Sequence, residues 1–140
     1  MQLTSIKKTD VSDATVPSWQ AISEVPVAIG ARRRDERTLE LCEAMIDIAA
    51  ALFNVPSKEI RRPGRTSLDI SRVRQVAMYV GHVVLKLNMT DLGKAFGRDR
   101  TTVVYACHLI EDLRDDPDFD RIITMTERVA LAAFGNRIGL

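Results

Sequence analysis

Five consecutive polar residues, Arg98, Asp99, Arg100, Thr101 and Thr102, stand where a helical pattern begins. Forked guanidinium donors, a carboxylate acceptor and two hydroxyls at a helix start are groups that can meet base edges when that helix enters a DNA major groove. The same residues have a purely local use. Thr and Asp at a helix start often serve the cap alone, and a helical hairpin with a polar start is common. Which use applies depends on the elements that carry them.

Those elements lie in Asn88–Leu113. Leu92, Ala95 and Phe96 fall on one helical face, and Val103, Ala106, Cys107, Ile110 and Leu113 recur at three- and four-residue spacing. Asn88 with Asp91 resembles a capping box, and Asp99 is placed to cap the second helix. Gly97-Arg98-Asp99 separates the two patterns, which makes the pair a helix-turn-helix.

The flanking chain is also helical in pattern. Leu41, Cys42, Met45, Ile48, Ala49 and Leu52 mark a helix over Leu39–Phe53, ended by Asn54-Val55-Pro56-Ser57, with one further turn at Ser57–Ile60. A basic loop, Arg61-Arg62-Pro63-Gly64-Arg65-Thr66-Ser67, leads to a helix capped by Ser67 or Ser71 and running to about Leu87. Its core positions are Val73, Val76, Ala77, Val80 and Val84. Gly81 costs that helix about 1 kcal/mol relative to Ala, which points to a close helix crossing. Arg72, Arg74 and Gln75 crowd its first turn, where cations oppose the helix dipole, so a counter-charge such as phosphate is a suitable explanation. Asp116 as cap and Pro117 at the first helical position start a last helix, with Phe119, Ile122, Ile123, Thr126, Val129, Ala130 and Ala133 on one side.

The expectation is therefore an all-α fold of about five helices. Residues 1–37, polar and broken by Pro17 and Pro26, are expected to form a disordered leader whose least polar part surrounds Trp19. Residues 38–135 form the domain and 136–140 a tail. The net charge of +1 hides a sorting of charge, with arginines over 61–74 and 98–100 and acids over 111–120. A DNA-reading helix with its basic start toward phosphates would show that gradient.

No phosphate-binding glycine loop and no nucleophile–base pair is present, so no nucleotide, cofactor or enzymatic activity is expected. The two cysteines, Cys42 and Cys107, are expected as buried thiols, and His82 and His108 as surface or internally bonded histidines; no metal site is indicated. The chain contains no apolar run of membrane-spanning length and is expected in the cytoplasm, associated with the nucleoid.

Taken in order, Arg72-Val73-Arg74-Gln75-Val76-Ala77-Met78, Asp91-Leu92-Gly93-Lys94-Ala95-Phe96-Gly97, Arg98-Asp99-Arg100-Thr101-Thr102-Val103, Ala106-Cys107 and Ile110-Glu111 resemble the C-terminal DNA-binding domain of the bacterial replication initiator DnaA. The resemblance covers about Leu39–Phe134. It implies a helix-turn-helix that binds double-stranded DNA, with Asp99, Arg100 and Thr101 reaching base edges. Arg74, Gln75 and Thr102 would lie near phosphates, and the basic loop would send Arg65, or Arg62 in second place, into the minor groove. Arg72 and Arg98 are added to the phosphate set. On the geometry of base edges, Asp99 would accept from cytosine N4, Arg100 would fork onto guanine and the Thr101 methyl would touch thymine.

Two departures from the family pattern matter. Its turn carries two glycines where this one has Gly97 alone, and its histidine before the Thr-Thr pair is Arg100 here, which shifts the expected preference toward guanine. With no counterpart of the family's ATPase module, the expected activity is that of a small bacterial regulator of transcription or replication. The alternative is an accessory that modulates DnaA-dependent initiation by contacting replication-initiation proteins, with weak or no DNA binding.

Overall fold

A computed structural model of the chain describes residues 27–135, with side chains from Arg34 onward. Six helices make up the described residues: α1 (Val27–Phe53), α2 (Ser57–Arg61), α3 (Leu68–Val83), α4 (Met89–Phe96), α5 (Arg100–Leu113) and α6 (Pro117–Phe134). No strand is found among them. The chain divides into two compact units, 1–36 and 37–140, and the helical body is the second. The expected leader around Trp19 and the tail 136–140 lie outside the described residues. No described helix is long and apolar enough to cross a membrane.

α1 starts at Val27 rather than near Leu39, so the last part of the expected leader is helical. After Pro26 no proline breaks the run, and alanine, arginine, glutamate and leucine, strong helix formers, outweigh Gly30. Its buried face is Leu41, Cys42, Met45, Ile46, Ala49 and Ala50. Asn54, at φ 57°, takes the left-handed position that ends the helix, and the Val55 N–H closes the end by donating to the Ala50 carbonyl at 3.0 Å. Pro56 then opens α2, a single turn whose Ile60 is fully buried.

α3 is the centre of the body and packs against α2, α4, α5 and α6. Every residue from Val76 to Gly81 is buried, so this helix is apolar nearly all round rather than on one stripe. Gly81 is the close crossing its cost suggested. A methyl group there would come within 3.1 Å of the Leu92 side chain of α4. His82 is satisfied locally, its Nδ1–H donating to the Leu87 carbonyl at 2.9 Å.

The expected caps form. Ser67 accepts from the Ile70 N–H, Asn88 from Asp91, Asp99 from Thr102 and Asp116 from Phe119, with Pro117 in the first turn of α6. On α6 the buried face is Ile123, Thr126, Ala130 and Phe134. Ile122 is exposed instead, and so is Ala133. The face is turned because α6 follows α3 and leaves one flank to solvent. Both thiols are buried as expected, and burial pushes the Cys42 thiol up to about 12.

Candidate nucleic-acid interface

The hairpin turn is built by close backbone approach. Gly97 ends α4 in the left-handed conformation, at φ 67°. One turn earlier, Gly93 lies directly under the crossing chain. A Cβ there would sit 2.7 Å from the Arg98 carbonyl oxygen and 3.2 Å from the Asp99 carbonyl carbon. The Arg98 N–H donates to the Gly93 carbonyl at 2.8 Å, which fixes that contact. Sequence reasoning missed Gly93 because it sits inside a helical pattern, where glycine is merely tolerated. The single glycine in the turn is thus matched by a second in α4, and together they set the angle at which α5 starts.

At the start of α5 three donors converge on Asp99 Oδ1: the Thr101 hydroxyl at 2.8 Å, the Thr102 hydroxyl at 2.9 Å and the Thr102 N–H at 3.0 Å. The Thr101 hydroxyl, then the Thr102 amide and hydroxyl, hold the Asp99 carboxyl below its ordinary value. It is therefore ionised at neutral pH. Arg100, Thr101 and Thr102 are all exposed, and Arg100 makes no hydrogen bond or ion pair among the described residues.

Beside this helix start lies an open groove of about 580 Å³, lined in part by Arg65, Gln75, Arg98, Thr102 and Tyr105. It brings together residues from the basic loop, α3, the turn and α5. Gly64, at φ 82°, bends the loop. Arg65 is exposed and unpaired among the described residues, whereas Arg62 forms an exposed ion pair with Glu59 at 3.0 Å. Tyr105 is 62% exposed and was not foreseen. Its signal was available, since it stands three residues after Thr102 on the same helical face.

Three residues expected on phosphates have partners within the protein. Arg74 is interior, only 5% exposed. Its Nε–H donates to the Ile60 carbonyl at 2.9 Å, Nη1 to the Thr66 hydroxyl at 3.4 Å, and Nη2 to the Glu59 and Arg62 carbonyls at 3.2 and 3.4 Å. With Ser67 as the cap, Arg74 lies in the second turn of α3, and it answers carbonyls at and just past the end of α2. Burial, and then the neighbouring Arg98 cation, pull its pKa below the ordinary arginine value. Arg98 is partly engaged as well, with Nη1 on the Phe96 carbonyl at 3.2 Å and Nη2 on those of Arg62 and Gly64, each at 3.3 Å. Arg72 hydrogen-bonds Gln75 Oε1 at 3.1 Å and lines a different groove, among Val73, Val76, Phe119 and Ile122. On a helix turning about 100° per residue, Arg72 and Arg74 point to opposite sides.

At the other end of α5 is a polar cluster that joins three helices. Arg114 donates through Nε to Asp120 at 2.5 Å, through Nη1 to Glu127 at 2.9 Å and to the Tyr79 hydroxyl at 3.1 Å, and through Nη2 to the Thr124 hydroxyl at 3.0 Å. The Tyr79 hydroxyl in turn donates to Glu111 at 2.5 Å. Burial, then the bond to Glu111, pushes the Tyr79 phenol up to about 12. This cluster docks α6 and α5 on α3.

Residues 42–110 match the family model described as the bacterial dnaA protein helix-turn-helix. The chain is 33% identical over 91 residues to the chromosomal replication initiator protein DnaA of Lachnoclostridium phytofermentans. That match takes in 64% of this chain and 20% of the relative, so the chain spans about a fifth of that protein's length. The crystal structure of a DNA replication initiation factor superposes with a TM-score of 0.67 at 23% identity, covering 74% of this chain and 32% of that one. At that identity the likeness shows the fold.

Proposed function

We propose, on the match of residues 42–110 to the bacterial dnaA helix-turn-helix, that the chain belongs to that family and binds double-stranded DNA with sequence preference, as a small regulator of replication or transcription. The observation that carries the reading is the shared groove. The exposed start of α5 and the unpaired Arg65 flank one concave surface, so a duplex could be met in its major groove by one and in the adjacent minor groove by the other.

Arg100 is the principal base reader in this proposal. A free, exposed guanidinium at the helix start forks onto guanine O6 and N7. Asp99 accepts from cytosine N4 while keeping its cap bonds, and the Thr101 methyl meets thymine. Arg65 enters an A·T-rich minor groove, where the narrow walls concentrate negative potential, with Arg62 second because Glu59 holds it. Gln75 rests on a phosphate through its amide N–H groups, joined by the Tyr105 hydroxyl, while Thr102, whose amide and hydroxyl protons serve Asp99, leaves the phosphate set. Arg74, Arg98 and Arg72 leave the phosphate set for the reasons of placement given above.

Selection of bound duplexes from a random pool, followed by sequencing, tests the proposal. Enrichment of a motif containing guanine supports it, and retention without enrichment would leave only a nonspecific nucleoid binder. Absence of binding at low salt would favour the second reading, an accessory that contacts replication-initiation proteins. The apolar groove containing Val73, Val76, Phe119 and Ile122, away from the basic one, gives that reading a surface.

A further inference from the structure

The basic loop is held from two directions, by side chains on two different elements. Arg74, rising from α3, reaches the Glu59, Ile60 and Arg62 carbonyls from inside. Arg98, from the hairpin turn, reaches the Arg62 and Gly64 carbonyls. Both Nη2 groups meet on one oxygen, the Arg62 carbonyl, at 3.4 and 3.3 Å. Two cations sharing one neutral acceptor is an arrangement that Coulomb repulsion opposes. It is held because α2, α3 and the turn are each fixed by the core, through Ile60, the α3 interior and Gly93.

Without these bonds the loop has little to hold it. Pro63 has no N–H, Gly64 is at positive φ with nothing within 4 Å of its Cβ position, and Arg65 is solvated. The remaining ties are at its two ends: Arg62 on Glu59, through a backbone bond at 3.3 Å and an exposed ion pair at 3.0 Å, and a side-chain hydrogen bond between Thr66 and Ser71 at 3.1 Å.

We propose that Arg98 is a positioning residue that couples the two reading elements, strapping the basic loop to the start of α5 so that Arg65 is delivered to the minor groove in fixed register with Arg100 in the major groove. Arg74 is the inner half of the strap. Pre-organising the loop removes an ordering cost from binding, so the strap contributes to discrimination at the base pairs that Arg65 reads and not at those Arg100 reads. The inference rests on the DNA-binding reading, but its first consequence is a property of the free protein.

Two measurements on the full chain, with Arg98→Met and Arg98→Lys, test it. In the first, without DNA, trypsin cleavage after Arg65 is timed. Both variants should be cut at least about tenfold faster than wild type while Tm stays within a few degrees, because local opening is eased and the core is untouched. An unchanged cleavage rate overturns the strap whether or not the protein binds DNA.

In the second, A·T pairs in the flank that Arg65 reads are replaced by G·C or by inosine·C. Inosine lacks the minor-groove amino group of guanine but keeps its major-groove edge, so it isolates minor-groove reading. Wild type should lose about tenfold on G·C and little on inosine·C. Both variants should lose that discrimination while keeping the penalty at the guanine opposite Arg100. A lysine variant that behaves like wild type, together with a methionine variant whose salt slope falls by about one, would make Arg98 a phosphate contact and overturn the proposal. Uniform weakening at every position, with the flank discrimination intact, overturns it as well. If wild type binds no duplex, the DNA-binding reading fails, and the cleavage assay alone decides the strap.

Discussion

Arg74 and Arg114 are both drawn into the protein, and their surroundings are opposite. Arg114 is met by Asp120 and Glu127, with Glu111 one hydroxyl away, and although burial works to lower its pKa, the bonds to Glu127 and Asp120 raise it overall. Arg74 is met only by carbonyls and a hydroxyl, and the charge that acts on it is another cation, Arg98. The body thus balances charge internally at the acidic end of α5 and leaves it unbalanced at the basic end. Arg65, Arg74, Arg98 and Arg100 form no ion pair among the described residues. One pole is closed by its own acids, and at the other these four arginines meet none among the described residues.

The strongest disturbance of the basic pole should be Gly93→Ala. Its Cβ would press on the Arg98 carbonyl, which is backbone and cannot rotate away. A loss of about 2–3 kcal/mol in denaturant unfolding is expected, with DNA affinity lost along with it. Gly97→Ala meets no neighbour and suffers only its positive φ, so about 1 kcal/mol is expected. If the two glycine variants prove equal, the close crossing does not set the hairpin angle.

Arg100→Ala should separate binding from stability. It is expected to cost about 1–3 kcal/mol at a single base pair, read by competition among single-substituted duplexes, with Tm unchanged. The same loss on every sequence would remove Arg100 from base reading.

Arg114→Met should do the reverse. Removing it strands acids that it now neutralises, and the partial exposure of the cluster limits the cost to about 1–2 kcal/mol. Affinity for DNA, measured on the fraction still folded, should not change. A weakened affinity would show that the two poles are not independent.

The smallest effect is one of pH. The folded-state pKa of Asp99 lies below the ordinary carboxylate value, so its contribution is fully present above that ordinary value and is lost as pH falls through the lower, folded value. Asn caps a helix about as well as Asp but does not titrate there. Asp99→Asn should therefore match wild type near neutrality and show a flatter acid limb. Parallel acid limbs would mean that the cap does not depend on the carboxylate.

How much of this was legible in the sequence follows from the reach of each interaction. Caps, turns and helical faces act over three or four residues, and Asn88, Asp99, Asp116, Val103 and Ile110 fell where the pattern placed them. Gly81 announced its crossing by its cost alone. Arg74 did not declare itself, because an arginine near a helix start looks the same whether it points to solvent or toward a carbonyl fourteen positions back. The Arg114 cluster was hidden for the same reason, with Tyr79 and Glu111 thirty-two residues apart. The burial of α3 on all sides could not be seen either, since it follows from how many neighbours surround it.

The threonine pair at the head of α5 has a consequence for how such a protein could change its target. Both hydroxyl protons are committed to Asp99, and that commitment holds the first turn together. Among the donors at this helix start, only the Arg100 guanidinium is at liberty. Exchanging Arg100 alone should therefore change the preference at the base pair it meets while leaving the scaffold intact, so that one reading position can be altered by a single codon without a rebuilt surface.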